Sequence, residues 1–314
     1  MADEFARIAR LKQRFESGAR AGALVGIGDD AAVLATGAEN LVLSVDTNQE
    51  GVHFERRFGP LSVLSARAFS AAISDLAAMG AAARCALTAL TLPAQLSESD
   101  FDALVDGLAR AAGEYSCPIV GGNLAAGPAL SITTTVVGSV SGTGLSRAGA
   151  RAGHRIYVTG ALGSAALGLA LLQRMAADRG PAFVARWLEP RARLAEGQQL
   201  LGIASAAIDV SDGALQDLEH LCRASGVGAE IDAAALPLAE GFVELARSIA
   251  LDPLALALSG GEDYELLYTV PEHAPPGPGT CIGRVTPNPG RLVVLDPQQQ
   301  PIAIATRGYR HFSG

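Results

Sequence analysis

The chain has 314 residues, enough for two ordinary domains with a sizeable buried core, and a formal net charge of -8. That acidic balance offers no basic surface to track a phosphate backbone, which argues against a nucleic-acid partner and suits metal binding instead. Cys85, Cys117, Cys222 and Cys281 are far apart with no Cys-x-x-Cys pair, which argues against a zinc ribbon or a disulfide scaffold and leaves reduced thiols in the cytoplasm as the expectation.

In chain order, the first residues, Met1-Ala2-Asp3-Glu4-Phe5, are charged from the start and lack the apolar segment of a signal peptide. A strand-like run over 41–45 ends at Asp46; helical spacing of apolar residues covers 60–79 and 97–115; a short strand at 118–120 leads into Gly121-Gly122-Asn123, and another strand covers 131–137. The Gly-rich passage 141–153 has basic residues and no apolar periodicity, so a domain border is expected near Ala150, giving units 1–150 and 151–314. Beyond it come strands at 155–159, 206–210, 264–270, 281–285 and 291–295. Helices are expected at 164–178, 191–205, 214–225 and 240–250, with a Pro- and Gly-rich loop at 272–280. The class is mixed α/β of the α+β type. The uncharged stretches 123–146 and 156–173 approach the length of a membrane span, but the first is dense in Ser, Thr and Gly and the second breaks at Gly160 and Gly163, so no membrane is expected.

The aspartates carry the most information, because they fall where loops meet apolar elements. Asp29 and Asp30 follow Val25-Gly26-Ile27-Gly28, Asp209 and Asp212 bracket Val210-Ser211, and Glu262, Asp263 and Glu265 follow Gly260-Gly261. Asp75 stands inside the apolar run Ala71-Ala72-Ile73-Ser74-Asp75-Leu76-Ala77, where a buried unpaired carboxylate is costly and must meet a cation, donors or water. Taken singly, Asp29, Asp46 or Asp209 reads as a helix cap or turn former. Taken together with Asp75, they read as carboxylates converging on Mg²⁺ and a triphosphate.

Other features leave alternatives open. Gly121-Gly122-Asn123 is either an anion cradle or a plain tight turn, and Gly160-Ala161-Leu162-Gly163-Ser164 reads as a helix-start turn with no P-loop lysine after it. His53 reads as a satisfied residue before it reads as a substrate contact, and Arg147 is either a phosphate partner or a solvated charge. No Gly-x-Ser-x-Gly elbow is present.

Together the segments Gly26-Ile27-Gly28-Asp29-Asp30, Glu50-Gly51-Val52-His53-Phe54, Ser74-Asp75-Leu76-Ala77-Ala78-Met79-Gly80, Ile208-Asp209-Val210-Ser211-Asp212-Gly213, Gly260-Gly261-Glu262-Asp263-Tyr264-Glu265 and Gly308-Tyr309-Arg310-His311-Phe312 resemble the thiamine-monophosphate kinase family across nearly the whole chain. That family sits in a superfamily with aminoimidazole ribonucleotide synthetase, selenophosphate synthetase and a hydrogenase maturation protein. The resemblance implies a two-domain aminoimidazole ribonucleotide synthetase-like fold. It also implies a homodimer joined through the N-terminal sheets, and ATP and thiamine monophosphate as substrates. By the same carry-over Asp30, Ser44, Asp46, Asp75, Asp209 and Asp212 would hold several Mg²⁺ ions, with Asp75 and Asp212 essential through the metal and no residue acting as general base. Gly122, Arg147 and Ser211 would contact ATP; His53, Glu262 and Phe312 would contact the acceptor. The family usually has Asp after Gly-Gly, where this chain has Asn123, an amide that still offers a metal or ATP contact but no charge. Rival expectations are another ATP-dependent synthetase of the superfamily, or a nucleotide-binding regulator without turnover.

Overall fold

The computed structural model describes residues 23–25, 29–37, 39–304 and 308. Gly26, Ile27, Gly28 and Phe312 lie outside the described residues. In the first half, strands β1 (Ala23–Val25), β2 (Ala32–Ala35), β3 (Asn40–Gln49), β4 (Ala82–Leu92), β5 (Ile119–Ala126) and β6 (Ser131–Val140) form one sheet in the order β1-β2-β3-β6-β4-β5. Helix α1 (Leu61–Ala78) packs on that sheet, and α2 (Glu98–Glu114) packs on α1.

Helix α1 starts behind Pro60, whose ring presets the chain for a first turn, and its alanines cost little side-chain entropy. It is buried around nearly its whole circumference, with Leu64, Phe69, Ile73 and Leu76 essentially inaccessible. Each such side chain stabilises the fold by about 1.5–3 kcal/mol. Among the described residues this is the helix long and apolar enough to cross a membrane, yet 83% of it is buried inside the protein. An all-round apolar helix in that setting is a core helix. It lies between the first sheet and strand β8 of the second half (Ala206–Asp209).

The second half contributes β7 (Arg155–Val158), α3 (Ser164–Gln173), α4 (Pro181–Leu188), α5 (Leu194–Gln199), β8, α6 (Ala214–Ser225), β9 (Gly228–Asp232), α7 (Phe242–Ser248), α8 (Pro253–Ser259), β10 (Leu266–Val270), β11 (Thr280–Thr286), β12 (Leu292–Leu295) and β13 (Pro301–Ile302). Its sheet runs β13-β12-β9-β11-β7-β10-β8, antiparallel except where β9 meets β12.

Several expectations need correction. Strand β3 does not end at Val45 but continues to Gln49, so Asp46 is a mid-strand residue facing α1. Gly121-Gly122-Asn123 is neither a turn nor a loop: it lies inside β5, which runs parallel to β4. Glycine is needed at 122 because a Cβ there would come within 1.8 Å of the Thr88 carbonyl oxygen. The helix expected over 191–205 shrinks to α5, and that over 164–178 to α3. Strands β4 and β9 and helices α4 and α8 were not anticipated.

Candidate active site

The two halves meet at a pocket of about 320 Å³. It is lined by Asp46, Asp75, Asp209 and Asp212, by His53, Glu262 and Tyr264, and by the apolar Val52, Ala166 and Leu169. Each acidic residue comes from a different place. Asp46 is on β3, Asp75 on α1, Asp209 ends β8, and Asp30 follows the N-terminal Gly-rich segment. The carboxylates of Asp30, Asp75 and Asp209 lie within 4.8 Å of one another, with Asp30 and Asp209 buried.

Three carboxylates that close cannot all be charged without help. Burial, then the neighbouring Asp209 and Asp30, hold the Asp75 carboxyl well above its ordinary range. Burial first and Asp30 second push Asp209 up to about 7, and burial raises Asp46 and Asp30 against the pull of nearby cations. Ser44 donates its hydroxyl hydrogen bond to Asp75 Oδ2, and Ser74 donates to Asp209 Oδ2 at 2.7 Å. The donor set is therefore carboxylate and hydroxyl oxygen, the set a hard divalent cation prefers, and a cation would remove the repulsion. These residues fit magnesium.

Arg147 reaches into the same cluster from the passage between the halves. Its fork donates to both Asp30 oxygens, Nε at 3.0 Å and a terminal nitrogen at 2.7 Å, while its backbone N–H faces the Asp29 carboxylate. A carboxylate has about four lone-pair sites, so Asp30 can accept this fork and still ligate a metal. Ser211 and Asp212 sit in a loop whose backbone N–H groups at 211, 212 and 213 all donate to Asp217 Oδ2, between 3.0 and 3.1 Å. Gly261 packs against that loop so closely that a Cβ would lie 2.3 Å from the Ser211 carbonyl oxygen, which accounts for a glycine there.

The acidic residues after Gly260-Gly261 divide their work. Asp263 accepts from the N–H groups of Gly163 and Ala165, 2.6 and 3.0 Å away, and so caps α3. The helix start at Gly160–Ser164 is thus closed to a phosphate. Glu265 is wholly buried and accepts from Arg186, Arg193 and Thr159. Glu262 faces the pocket in a left-handed conformation (φ 69°) and accepts from Arg67 and from Trp187 Nε1. His53 Nδ1 accepts from the Gln49 N–H at 3.1 Å, which orients the ring.

Not every expected residue joins this site. Paired residues in neighbouring strands share a face, and the register runs Asp46, Thr134, Thr88, Gly122 across the sheet. Gly122 is thus three strands from Asp46, about 14 Å. Asn123 falls in the next row, with Ala89, Thr133 and Thr47, on the opposite face of the sheet. Within one chain Asn123 does not meet the aspartates. Sequence reasoning missed Arg67, Asn48, Trp187 and Asp217; an arginine inside the apolar run 61–78 was a signal as strong as Asp75.

The comparisons with known proteins agree with this architecture. Residues 28–140 match the AIR synthase related protein, N-terminal domain, and residues 151–301 match the AIR synthase related protein, C-terminal domain. Fold and site thus define a two-domain protein of the AIR synthase related class. The chain belongs, within it, to the thiamine-monophosphate kinase family: it is 39% identical to the Escherichia coli thiamine-monophosphate kinase over 99% of this chain and 98% of that protein. A solved structure described as AaThiL complexed with AMPPCP and TMP matches with a TM-score of 0.89 at 33% identity, covering 99% of this chain and 97% of that one. The crystal structure of thiamine-monophosphate kinase from Stenotrophomonas maltophilia matches with a TM-score of 0.75 at 36% identity, over 93% and 96% of the two chains.

Proposed function

We propose that this chain transfers the γ-phosphoryl group of ATP to thiamine monophosphate, giving thiamine diphosphate and ADP. The observation that carries the reading is the near-complete likeness to a chain solved with AMPPCP and TMP, together with a single pocket that combines clustered carboxylates with His53 and Glu262. Asp30, Ser44, Asp46, Asp75, Asp209 and Asp212 are the residues proposed to hold Mg²⁺, which would neutralise the phosphates of donor and acceptor. Arg147 and Ser211 are proposed to contact ATP, and His53 and Glu262 the acceptor. The units 1–150 and 151–314 clasp the site from its two sides.

The acceptor is a phosphate monoester, already anionic near neutral pH, so its own oxygen is the nucleophile and needs no general base. The chain's task is then to hold two highly charged groups in line and exclude water. Tyr264, buried beside the pocket, and the apolar Val52, Ala166 and Leu169 serve the second purpose.

A homodimer is proposed through the first sheet. Val45 and Leu87 stand in one register row of its outer face, 62% and 43% exposed, and the edge strand β5 leaves Val120 and Leu124 in solvent. A second copy covering that face would also meet Asn123, which stands on the same face, and so gives its proposed ATP contact a place across the subunit boundary. A location in the cytoplasm accords with soluble substrates of this kind.

The test is release of ADP from ATP and Mg²⁺ with and without thiamine monophosphate, with product mass determined. Thiamine monophosphate-dependent ADP accompanied by equal thiamine diphosphate is the expected result. ADP released only with other acceptors would move the reading to another synthetase of the class.

A further inference from the structure

Arg67 has no role in the reading above, yet it is tied to two carboxylates of the pocket, Glu262 directly and Asp46 through Asn48. It lies on α1 among alanines with its side chain 1% exposed. Its guanidinium is satisfied on three sides: Nε donates to the Trp187 carbonyl oxygen at 3.0 Å, one terminal nitrogen to Asn48 Oδ1 at 3.2 Å, and the other to Glu262 Oε1. Asn48 donates onward to Asp46 Oδ2 at 3.0 Å. Trp187 Nε1 donates to the second Glu262 oxygen at 2.5 Å, and the indole lies 4.1 Å beneath the guanidinium. A single cation therefore ties a β3 carboxylate of the first half to a pocket carboxylate of the second.

Stability alone does not account for an arginine here. Buried ion pairs are often replaceable by apolar residues of similar volume at no loss, because desolvating the charges offsets their attraction. What an apolar residue cannot do is aim two carboxylates. A lysine at this position would keep the charge but lose the planar fork that engages three partners at once.

We propose, resting on the kinase reading, that Arg67 is a positioning residue: it orients Glu262 toward the acceptor and, through Asn48, orients Asp46 toward the metal. One group then sets both binding events. Two branches leave it, and they can be cut separately.

Trp187 is the chain's single tryptophan, so its emission reports on this junction alone. The experiment titrates the full chain with thiamine monophosphate, followed by Trp187 fluorescence, and with Mg²⁺, followed by calorimetry. Arg67→Lys should weaken both, each by about 10- to 100-fold, the range for partners that orient ligating groups. Asn48→Ala cuts only the branch to Asp46, so Mg²⁺ binding should weaken by about 10-fold while the acceptor Kd stays within about 2-fold. A folded Arg67→Lys variant with wild-type affinities, or an Asn48→Ala variant that moves both constants or neither, would overturn the proposal. Should Arg67→Lys not fold, Asn48→Ala decides alone. A wild-type protein that binds both ligands but never turns over would sink the kinase reading, while the two binding constants still decide the role of Arg67.

Discussion

Asp75 and Asp209 are carboxyls that the fold holds away from their ordinary ionisation. Their folded-state values lie above the ordinary carboxylate value, Asp209 at about 7, chiefly through burial. A raised carboxyl contributes stability that is complete below about pH 4, its unfolded value, and is lost as pH rises through the folded one. Metal-free protein should thus melt at a lower temperature at pH 8 than at pH 6, and Mg²⁺ should restore more at pH 8, where Asp209 is mostly ionised. Thermal melts with and without Mg²⁺ check this; an equal Mg²⁺ effect at both pH values would contradict it. Asp75→Asn should lower kcat by about 100-fold or more, as for loss of one preorganised electrostatic group, while raising the metal-free melting temperature at pH 8. A variant that is inactive and also less stable would make Asp75 a structural residue. Asp75 was legible in the sequence because an acid in an apolar run demands a partner. The same logic applies to Arg67, which the sequence reading passed over; its partners Glu262 and Trp187 are distant in sequence and no motif announces them or Asn48.

At the scale of elements, the segment 260–265 forces the chain through two left-handed non-glycine residues, Glu262 (φ 69°) and Tyr264 (φ 50°), before β10 begins at Leu266. Those conformations cost about 1–3 kcal/mol each and persist only where the surroundings over-determine them. Here they are held by the backbone bonds from Glu262 to Ser211 and from Tyr264 to Val210, and by the buried Glu265. The facing loop depends on Asp217, which gathers three backbone N–H groups. Asp217→Ala leaves them without that acceptor and should destabilise the protein by about 2–4 kcal/mol, read as a lower urea midpoint; an unchanged midpoint would show that water replaces the carboxylate. Helices α1, α2 and α6 were legible from apolar spacing. Strand β4 was not, because Ala82-Ala83-Arg84-Cys85-Ala86 has neither β-branched residues nor clean alternation, and only pairing with β5 and β6 makes it a strand. Strand β5 was cut short in the reading because Gly121-Gly122 looks like a turn until the closeness of Thr88 is known.

At the scale of the whole molecule, the two halves are joined through α1, which one sheet covers on one side and β8 on the other. The site is therefore a property of the assembled chain and not of either half. Leu87, 43% exposed on β4, belongs to the face proposed for the homodimer. Leu87→Glu should shift the sedimentation coefficient from dimer to monomer; a dimer that survives it would place the interface elsewhere. The Gly-rich passage 141–153 suggests a division into halves, but the face each half presents to the other was not readable, since it depends on which sheet surface the helices leave open.

The central claim is that the chain provides position and charge neutralisation while the acceptor's own phosphate oxygen attacks ATP. The stereochemical course at the γ-phosphorus tests it most directly, using ATP made chiral at that atom and thiamine monophosphate as acceptor. A single in-line transfer predicts inversion of configuration in the thiamine diphosphate formed. Retention would mean two transfers through a covalent phospho-protein, and would contradict the account.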